Sequence, residues 1–177
     1  ELGMEAAMAP ASMCERFHLC QSGGYIIHIM HVIKNSLKIK KLWENVGAII
    51  DFTDEELLFS AHAHDLGKLG SKEFGSYYKP QDQDWLLRKG EIYKLNPANQ
   101  YMKVTDRALF TLQQYGIKTT WREMLAIKLS DGLFDPASEP YLKTYKEEFY
   151  LKTHLPEIIH QADLIACRAE ADSWRYL

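Results

Sequence analysis

The sequence predicts an all-α fold, because apolar side chains repeat at helical spacing in several segments and no useful length alternates at period two. The clearest stripe lies in residues 25–46, and its members are Ile26, Ile29, Ile33, Leu37 and Trp43. A third observation is the segment Thr53-Asp54-Glu55-Glu56, a capping box typical of a helix start. With 177 residues the chain can bury a substantial core, so we expect a single domain over residues 1–177.

Turn residues divide the chain into further helices. The predicted helices cover residues 1–22 (an N-terminal extension that ends irregularly before Gly23-Gly24), 25–46, 53–65, 106–115 and 120–129, and a last helix begins near Pro156. The last helix has an apolar face of Ile158, Ile159, Ala162, Ile165 and Ala166. Together these segments predict a helical bundle.

Residues 71–103 differ from the rest of the chain. Glycine, proline and asparagine punctuate them, and aromatic residues such as Tyr77, Tyr78 and Trp85 are interleaved. Such a stretch is too long for an ordinary connection. It predicts an irregular but ordered insertion, or a lid.

Composition and charge exclude several classes of protein. The chain is 46% hydrophobic and 25% charged, with a net charge of −3, which gives no general attraction to nucleic acid or anionic membrane. The net charge does not exclude a local basic patch on the surface. No apolar run is long enough to cross a bilayer, and the first residues lack the features of a signal peptide. Cys14, Cys20 and Cys167 are too few for a disulfide framework, so we expect free thiols and a cytoplasmic protein.

The strongest chemical signal is His64-Asp65-Leu66-Gly67-Lys68. Adjacent imidazole and carboxylate groups at a helix end can converge on one metal ion. The glycine allows a sharp turn that returns Lys68 to the site, where its ammonium group can hold a phosphate oxygen.

A metal ion needs more anchors than these two. His28 on the preceding helix and Asp163 on the last helix supply them, so three helices contribute four ligands. His31 competes with His28 from one turn away, and Asp172 competes with Asp163. We favour Asp163, because it lies inside the apolar pattern, where an uncompensated carboxylate is costly.

The order His28 … His64-Asp65 … Asp163 resembles the H…HD…D signature of the HD-domain superfamily of metal-dependent phosphohydrolases. Gly23-Gly24-Tyr25-Ile26-Ile27-His28 is similar to the glycine-glycine start of that family's first metal helix. His64-Asp65-Leu66-Gly67-Lys68 is similar to its HD-x-G-K variant, and Ala162-Asp163-Leu164 to its closing aspartate. The resemblance covers residues 23–170.

The resemblance implies an all-helical fold, one tightly held divalent or transition metal ion (Mn, Fe, Co, Ni, Mg or Zn) and hydrolysis of a phosphoester. We expect a small phosphorylated substrate, a nucleotide or related ester, and neither a membrane nor a polymer as the favoured partner. Asp65 would hold the ion and orient the water, and Lys68 would bind phosphate. The residues predicted to contact substrate are Lys68, His31, Asp131, Tyr77, Tyr78 and Trp85.

Local resemblance to the HD domain of 3′–5′ exoribonucleases comes with one departure. Those domains carry a histidine pair where this chain has Ser130-Asp131. The departure argues against a second full metal site of that type, and hence against a di-iron oxygenase, although Asp131 can still supply an oxygen ligand. Two alternative functions remain: a nuclease or cyclic-nucleotide phosphodiesterase, and a non-enzymatic sensing module. The sequence does not exclude homo-oligomerisation.

Other histidines and cysteines have simpler interpretations. His62 lies two residues before His64 and should point away from it. His160 lies one turn before Asp163, and we interpret it as a core histidine, with a position lining the pocket as the alternative. Cys14, His18 and Cys20 suggest zinc, but no fourth ligand lies nearby, so free thiols are the better interpretation.

Overall fold

The structure is a computed structural model that describes residues 3–71 and 73–175. Within them the α-helices are α1 (Gly3–Met8), α2 (Gly24–Asn45), α3 (Asp54–Ala63), α4 (Asp84–Leu87), α5 (Val104–Gln114), α6 (Trp121–Lys128), α7 (Glu139–Leu142) and α8 (Leu155–Arg175). The strands are β1 (Tyr78–Pro80) and β2 (Tyr93–Leu95), and short 3₁₀ turns cover Leu66–Lys68, Gly132–Phe134, Pro136–Ser138 and Glu147–Phe149. The predicted mainly helical fold is therefore confirmed.

The two long helices, α2 and α8, pack along each other and form the centre of the structure. Helices α3 and α6 pack against this pair and against each other. Their shared core consists of fully buried aliphatic side chains, including Val32, Leu57, Ala126, Ile158 and Ile159. Apolar burial of this kind is the main source of stability, and it holds in place the three helices that were predicted to carry metal ligands.

The predicted capping box at the start of α3 is confirmed. Thr53 Oγ1 accepts a hydrogen bond from the Glu56 amide at 3.2 Å, and the Thr53 amide donates to Glu56 Oε2 at 3.0 Å. Thr120 and Glu123 cap α6 in the same way. Thr120 Oγ1 also donates to Glu56 Oε1 at 2.9 Å, which ties the two helix starts together. The position of α3, and of the residues that follow it, is thereby set at its beginning.

The N-terminal helix is shorter than predicted. It ends at Met8, and residues 9–23 run as an irregular, partly buried segment. Proline at position 10 disfavours helical backbone at the residue before it, which accounts for the early end. The Ala11 amide donates to the Leu19 carbonyl at 3.1 Å, closing residues 11–19 into a compact loop against the start of α2.

Within the predicted insertion, residues 73–103 contain a small two-stranded sheet that the sequence analysis did not predict. Strands β1 and β2 pair antiparallel, with Lys79 opposite Lys94. The buried Asn96 side chain donates to the carbonyls of Phe74 and Ser76 at 2.9 and 2.8 Å, which folds the segment on itself. Three-residue strands are too short to give a recognisable alternation in the sequence.

No helix among residues 3–71 and 73–175 is long and apolar enough to span a membrane.

Replacing Leu57 by Ala should destabilise the fold by about 2–5 kcal/mol, because Leu57 is fully buried and the change leaves a cavity. Its neighbour Leu58 is 38% exposed and is the matched control, with an expected loss below about 1 kcal/mol. Urea unfolding followed by circular dichroism measures both values. Equal losses for the two variants would contradict the described core.

Candidate metal centre

Three helices bring His28, His64 and Asp163 together, with ligand atoms within 4.8 Å of one another, and the Asp65 carboxylate lies beside the two histidines. His28 lies on α2, His64 and Asp65 directly follow α3, and Asp163 lies on α8. His28 Nε2 is 3.1 Å from Asp163 Oδ1 and 3.6 Å from Asp65 Oδ2. His64 Nε2 is 3.8 Å from both carboxylates. Ligands about 2.1 Å from an ion lie roughly 3.0–3.4 Å apart, so this spacing suits a shared metal ion with little adjustment.

The ligand nitrogens are buried without a hydrogen-bond partner. His28 and His64 are 0% and 1% exposed, and among the described residues neither Nε2 atom has a hydrogen bond of acceptable geometry. Buried polar atoms are normally paired with a hydrogen-bonding partner. Two unpaired Nε2 atoms beside two carboxylates are consistent with a metal ion as their partner. Two imidazoles and two carboxylates form a donor set that accepts Zn²⁺, Mn²⁺, Fe²⁺, Co²⁺ or Ni²⁺.

Outer contacts orient the two histidine rings. His64 Nδ1 donates to the Ala61 carbonyl at 2.8 Å, which leaves Nε2 as the lone-pair nitrogen of the neutral ring. His28 Nδ1 donates to the Glu170 carboxylate at 3.0 Å. Hydrogen bonds of this type fix the tautomer and raise the basicity of a metal-ligating histidine.

The turn after Asp65 explains the glycine in this motif. A Cβ atom at Gly67 would lie 2.0 Å from the Val104 carbonyl oxygen, so only glycine lets the turn pack against the start of α5. The turn returns Lys68 towards the centre, where its Nζ lies 2.5 Å from Asp65 Oδ2. The predicted approach of Lys68 to the site is therefore present in the structure.

The electrostatics of the centre are those of a cation site. Burial alone would lower the pKa of His28, but the neighbouring Asp163 carboxylate and the hydrogen bond to Glu170 raise it to about 9. Burial likewise opposes a charged His64, while Asp65 and Asp163 raise its pKa. Burial disfavours the Asp163 carboxylate, yet the two histidines hold its pKa well below the usual value. A metal ion bound between these groups would compete with protons for the ring nitrogens.

A cavity of about 700 Å³ opens beside the centre. Side chains that line it include Arg16, Lys68, Tyr78, Asp131, Asp163 and Arg168. Its volume lies within the range of sites for small ligands. Burial and the charges of Asp65 and Asp163 raise the pKa of Asp131, so this carboxyl group shares the electrostatic field of the centre.

The structure brings only some of the predicted substrate contacts to the cavity. Tyr78 and Asp131 line it together with Lys68, whereas His31, Tyr77 and Trp85 do not. His31 Nδ1 donates to Glu170 at 2.8 Å on the outer side of α2.

The other two aromatic residues make contacts away from the cavity. The Tyr77 ring is buried under the Arg107 guanidinium group, 4.9 Å from its centroid. Trp85 is exposed, and the Lys89 ammonium group lies over its ring. The local sequence does not show which of these aromatic residues reaches the cavity, because it does not specify how the insertion folds back.

The residues assigned structural roles also have clear positions. His62 is exposed and points away from the centre, as its spacing from His64 predicts. His160 lines the cavity and donates to the Ser130 carbonyl at 2.8 Å, with its ring pressed against Gly132. The three cysteines are free thiols.

Sequence reasoning missed several residues around the centre. Glu170 supports His28, and His18, Cys167, Arg16 and Arg168 line the cavity. Positions 163, 167 and 170 are spaced by four and three residues, so they share one face of α8. That spacing was a usable signal for Glu170 and Cys167. No comparable signal marks His18, which reaches the cavity through an irregular segment.

Comparison of this chain with protein-family models, curated proteins and solved structures gives no match. The resemblance to the HD superfamily therefore stays a prediction, which rests on the motifs and on the geometry described above.

His64→Ala should weaken binding of Mn²⁺ or Co²⁺ by more than about 100-fold, since it removes a direct ligand. His62→Ala changes an exposed histidine two residues away and should leave metal affinity unchanged. Isothermal titration calorimetry of the metal-free proteins measures both affinities. Equal affinity of the two variants would show that the ion binds elsewhere.

Proposed function

We propose that the protein is a metal-dependent phosphohydrolase of the HD type that acts on a small phosphate ester such as a nucleotide. One observation carries this proposal: His28, His64, Asp65 and Asp163 converge from three helices at the edge of a ligand-sized cavity that also contains Lys68. A site with two imidazoles and two carboxylates leaves coordination positions for water and substrate.

A bound ion supplies two effects, a lower pKa for a coordinated water and neutralisation of charge on the phosphate. The protein's own residues supply the rest. Asp65 anchors the site and accepts a hydrogen bond from the attacking water, and Lys68 turns from Asp65 towards a phosphate oxygen. Arg16 and Arg168 on the cavity wall offer further donors to an anionic substrate.

The cavity combines these cations with apolar surface. Phe17 and Phe134 line it and are 50% and 71% exposed, so both rings are accessible to a bound molecule. A planar base can stack on such rings while its phosphate lies near Lys68. The Asp131 side chain also lines the cavity, and we assign it a contact with the substrate. This combination supports a nucleotide over a purely aliphatic phosphate ester.

A second candidate is a nuclease or phosphodiesterase that uses the same centre. The two exposed arginines at positions 16 and 168 favour it, because they add positive charge to the cavity wall. The net charge of −3 and the cavity volume of about 700 Å³ favour the small substrate.

A substrate screen separates these functions. The purified protein would be supplied with Mn²⁺, Co²⁺, Ni²⁺ or Mg²⁺ and offered nucleotides, cyclic dinucleotides and short RNA. Release of phosphate or of a cleaved product by the wild type and His62→Ala, but not by His64→Ala, supports hydrolysis at this centre. Absence of turnover with every substrate and metal would refute the proposal.

Lys68→Ala should lower kcat about 10²–10³-fold, because it removes a cation that stabilises charge on the phosphate. Metal affinity should stay the same or rise, since the change frees Asp65 from its ion pair. Lys94→Ala is the control, because Lys94 pairs with Asp82 in the insertion. Steady-state kinetics and metal titration test the pair. A loss of metal equal to that of His64→Ala would contradict the assigned role.

Tyr78→Ala should lower kcat/KM about tenfold or more through the loss of a positioning contact. Burial raises the pKa of Tyr78 to about 12, so its hydroxyl stays protonated and can donate to the substrate. Trp85→Ala, an exposed aromatic residue of the same insertion, should keep wild-type kinetics. If both variants behave as wild type, residues 71–103 serve only for packing.

A further inference from the structure

A second group of metal-competent side chains adjoins the candidate centre. The ligand atoms of His18, His28 and Cys167 lie within 4.8 Å of one another. His18 Nε2 is 3.6 Å from Cys167 Sγ, and the His18 and His28 rings are 4.9 Å apart between centroids. His28 belongs to both groups, so the two clusters are continuous.

Asp163 provides a second link between the clusters. Its Oδ1 atom is 3.1 Å from His28 Nε2 and accepts a hydrogen bond from Cys167 Sγ at 3.3 Å. One carboxylate therefore faces the predicted ion on one side and the thiol on the other. Two-metal sites hold their ions about 3.5–4 Å apart, a separation that one bridging carboxylate spans.

The protein holds His18 in place through several contacts. Its carbonyl accepts a hydrogen bond from Ser12 Oγ at 2.6 Å, and the adjacent Leu19 carbonyl is bound by the Ala11 amide. The opposite partner, Cys167, is fixed on the long helix α8, one turn after Asp163. Both side chains line the cavity, so an ion can reach them from solvent.

We propose that His18 and Cys167, with Asp163 as a bridging ligand, form a second metal position that takes a thiophilic divalent ion such as Zn²⁺ or Co²⁺. The Cys167 thiol releases its proton to solvent when the metal–sulfur bond forms. Imidazole and thiolate ligands favour such ions over Mg²⁺. The proposal rests on the candidate centre for Asp163.

This second metal position is not the one at Ser130-Asp131 that the resemblance to exoribonuclease HD domains implies. The segment at Ser130-Asp131 lacks the histidines that would complete a second site on that side of the centre. His18 and Cys167 approach from the opposite ends of the chain, through the N-terminal segment and α8. The second ion would lie on the cavity wall that also carries Arg16 and Arg168, and there it would add positive charge next to the substrate.

Cobalt spectroscopy tests the position without an assay of activity. The metal-free full chain would be titrated with Co²⁺ while absorption is recorded in the near-ultraviolet and visible regions. We expect a thiolate-to-cobalt charge-transfer band in the wild type, in addition to the visible bands of an ion at His28 and His64. Cys167→Ser should abolish the charge-transfer band and retain the visible bands.

Matched variants identify the sulfur and the histidine. Cys20→Ser removes a buried thiol that does not line the cavity, and it should keep the charge-transfer band. His18→Ala should raise the Co²⁺ dissociation constant of the thiolate position more than about tenfold. Circular dichroism of each variant verifies that it folds. Absence of the band in the folded wild type, or its survival in Cys167→Ser, would overturn the proposal.

The two proposals fail in different ways. A charge-transfer band without hydrolysis of any substrate would refute the phosphohydrolase and keep the thiolate position. Hydrolysis with one bound Co²⁺ per chain and no charge-transfer band would refute the thiolate position and keep the phosphohydrolase.

Discussion

The contact between α2 and α8 places His28 beside Asp163 in the interior, and the rest of the structure accommodates this buried polar pair. Burying ionisable groups is costly unless they are compensated. Here the compensation is mutual, because each histidine lies near two carboxylates, and further support comes from Glu170 behind His28. The aliphatic core packs beside the candidate ligands, and the cavity gives access to them from solvent.

Helix α3 completes the centre because both of its ends are constrained. The capping box and the bond from Thr120 to Glu56 locate its start, while close packing of Gly67 on α5 locates the turn after its end. His64 and Asp65 lie between these two constraints. Ligands held by packed helices and oriented by outer hydrogen bonds keep their geometry whether or not an ion is bound, which favours fast and selective metal binding.

Two segments with little regular structure build part of the wall of the cavity. Residues 11–18 approach from the N-terminal side, and Tyr78 approaches from the insertion. A backbone bond from the Glu15 amide to the Gly90 carbonyl joins these segments to each other. The cavity is thus bounded partly by connected loops on a helical base, an arrangement in which loop residues can vary without disturbing the helices that carry the candidate ligands.

The sequence by itself determined the helical class, the start of α3 and the four candidate ligands, because helical periodicity, capping chemistry and the HD motif are all local patterns. It did not determine which aromatic residues reach the cavity. Tyr77 and Tyr78 are neighbours, yet one packs under Arg107 and the other lines the cavity, because Tyr77 lies in the bend before strand β1 and Tyr78 begins the strand. Only the tertiary structure decided that His18 meets Cys167, because that contact depends on how an irregular segment folds over two helices that are distant in the chain.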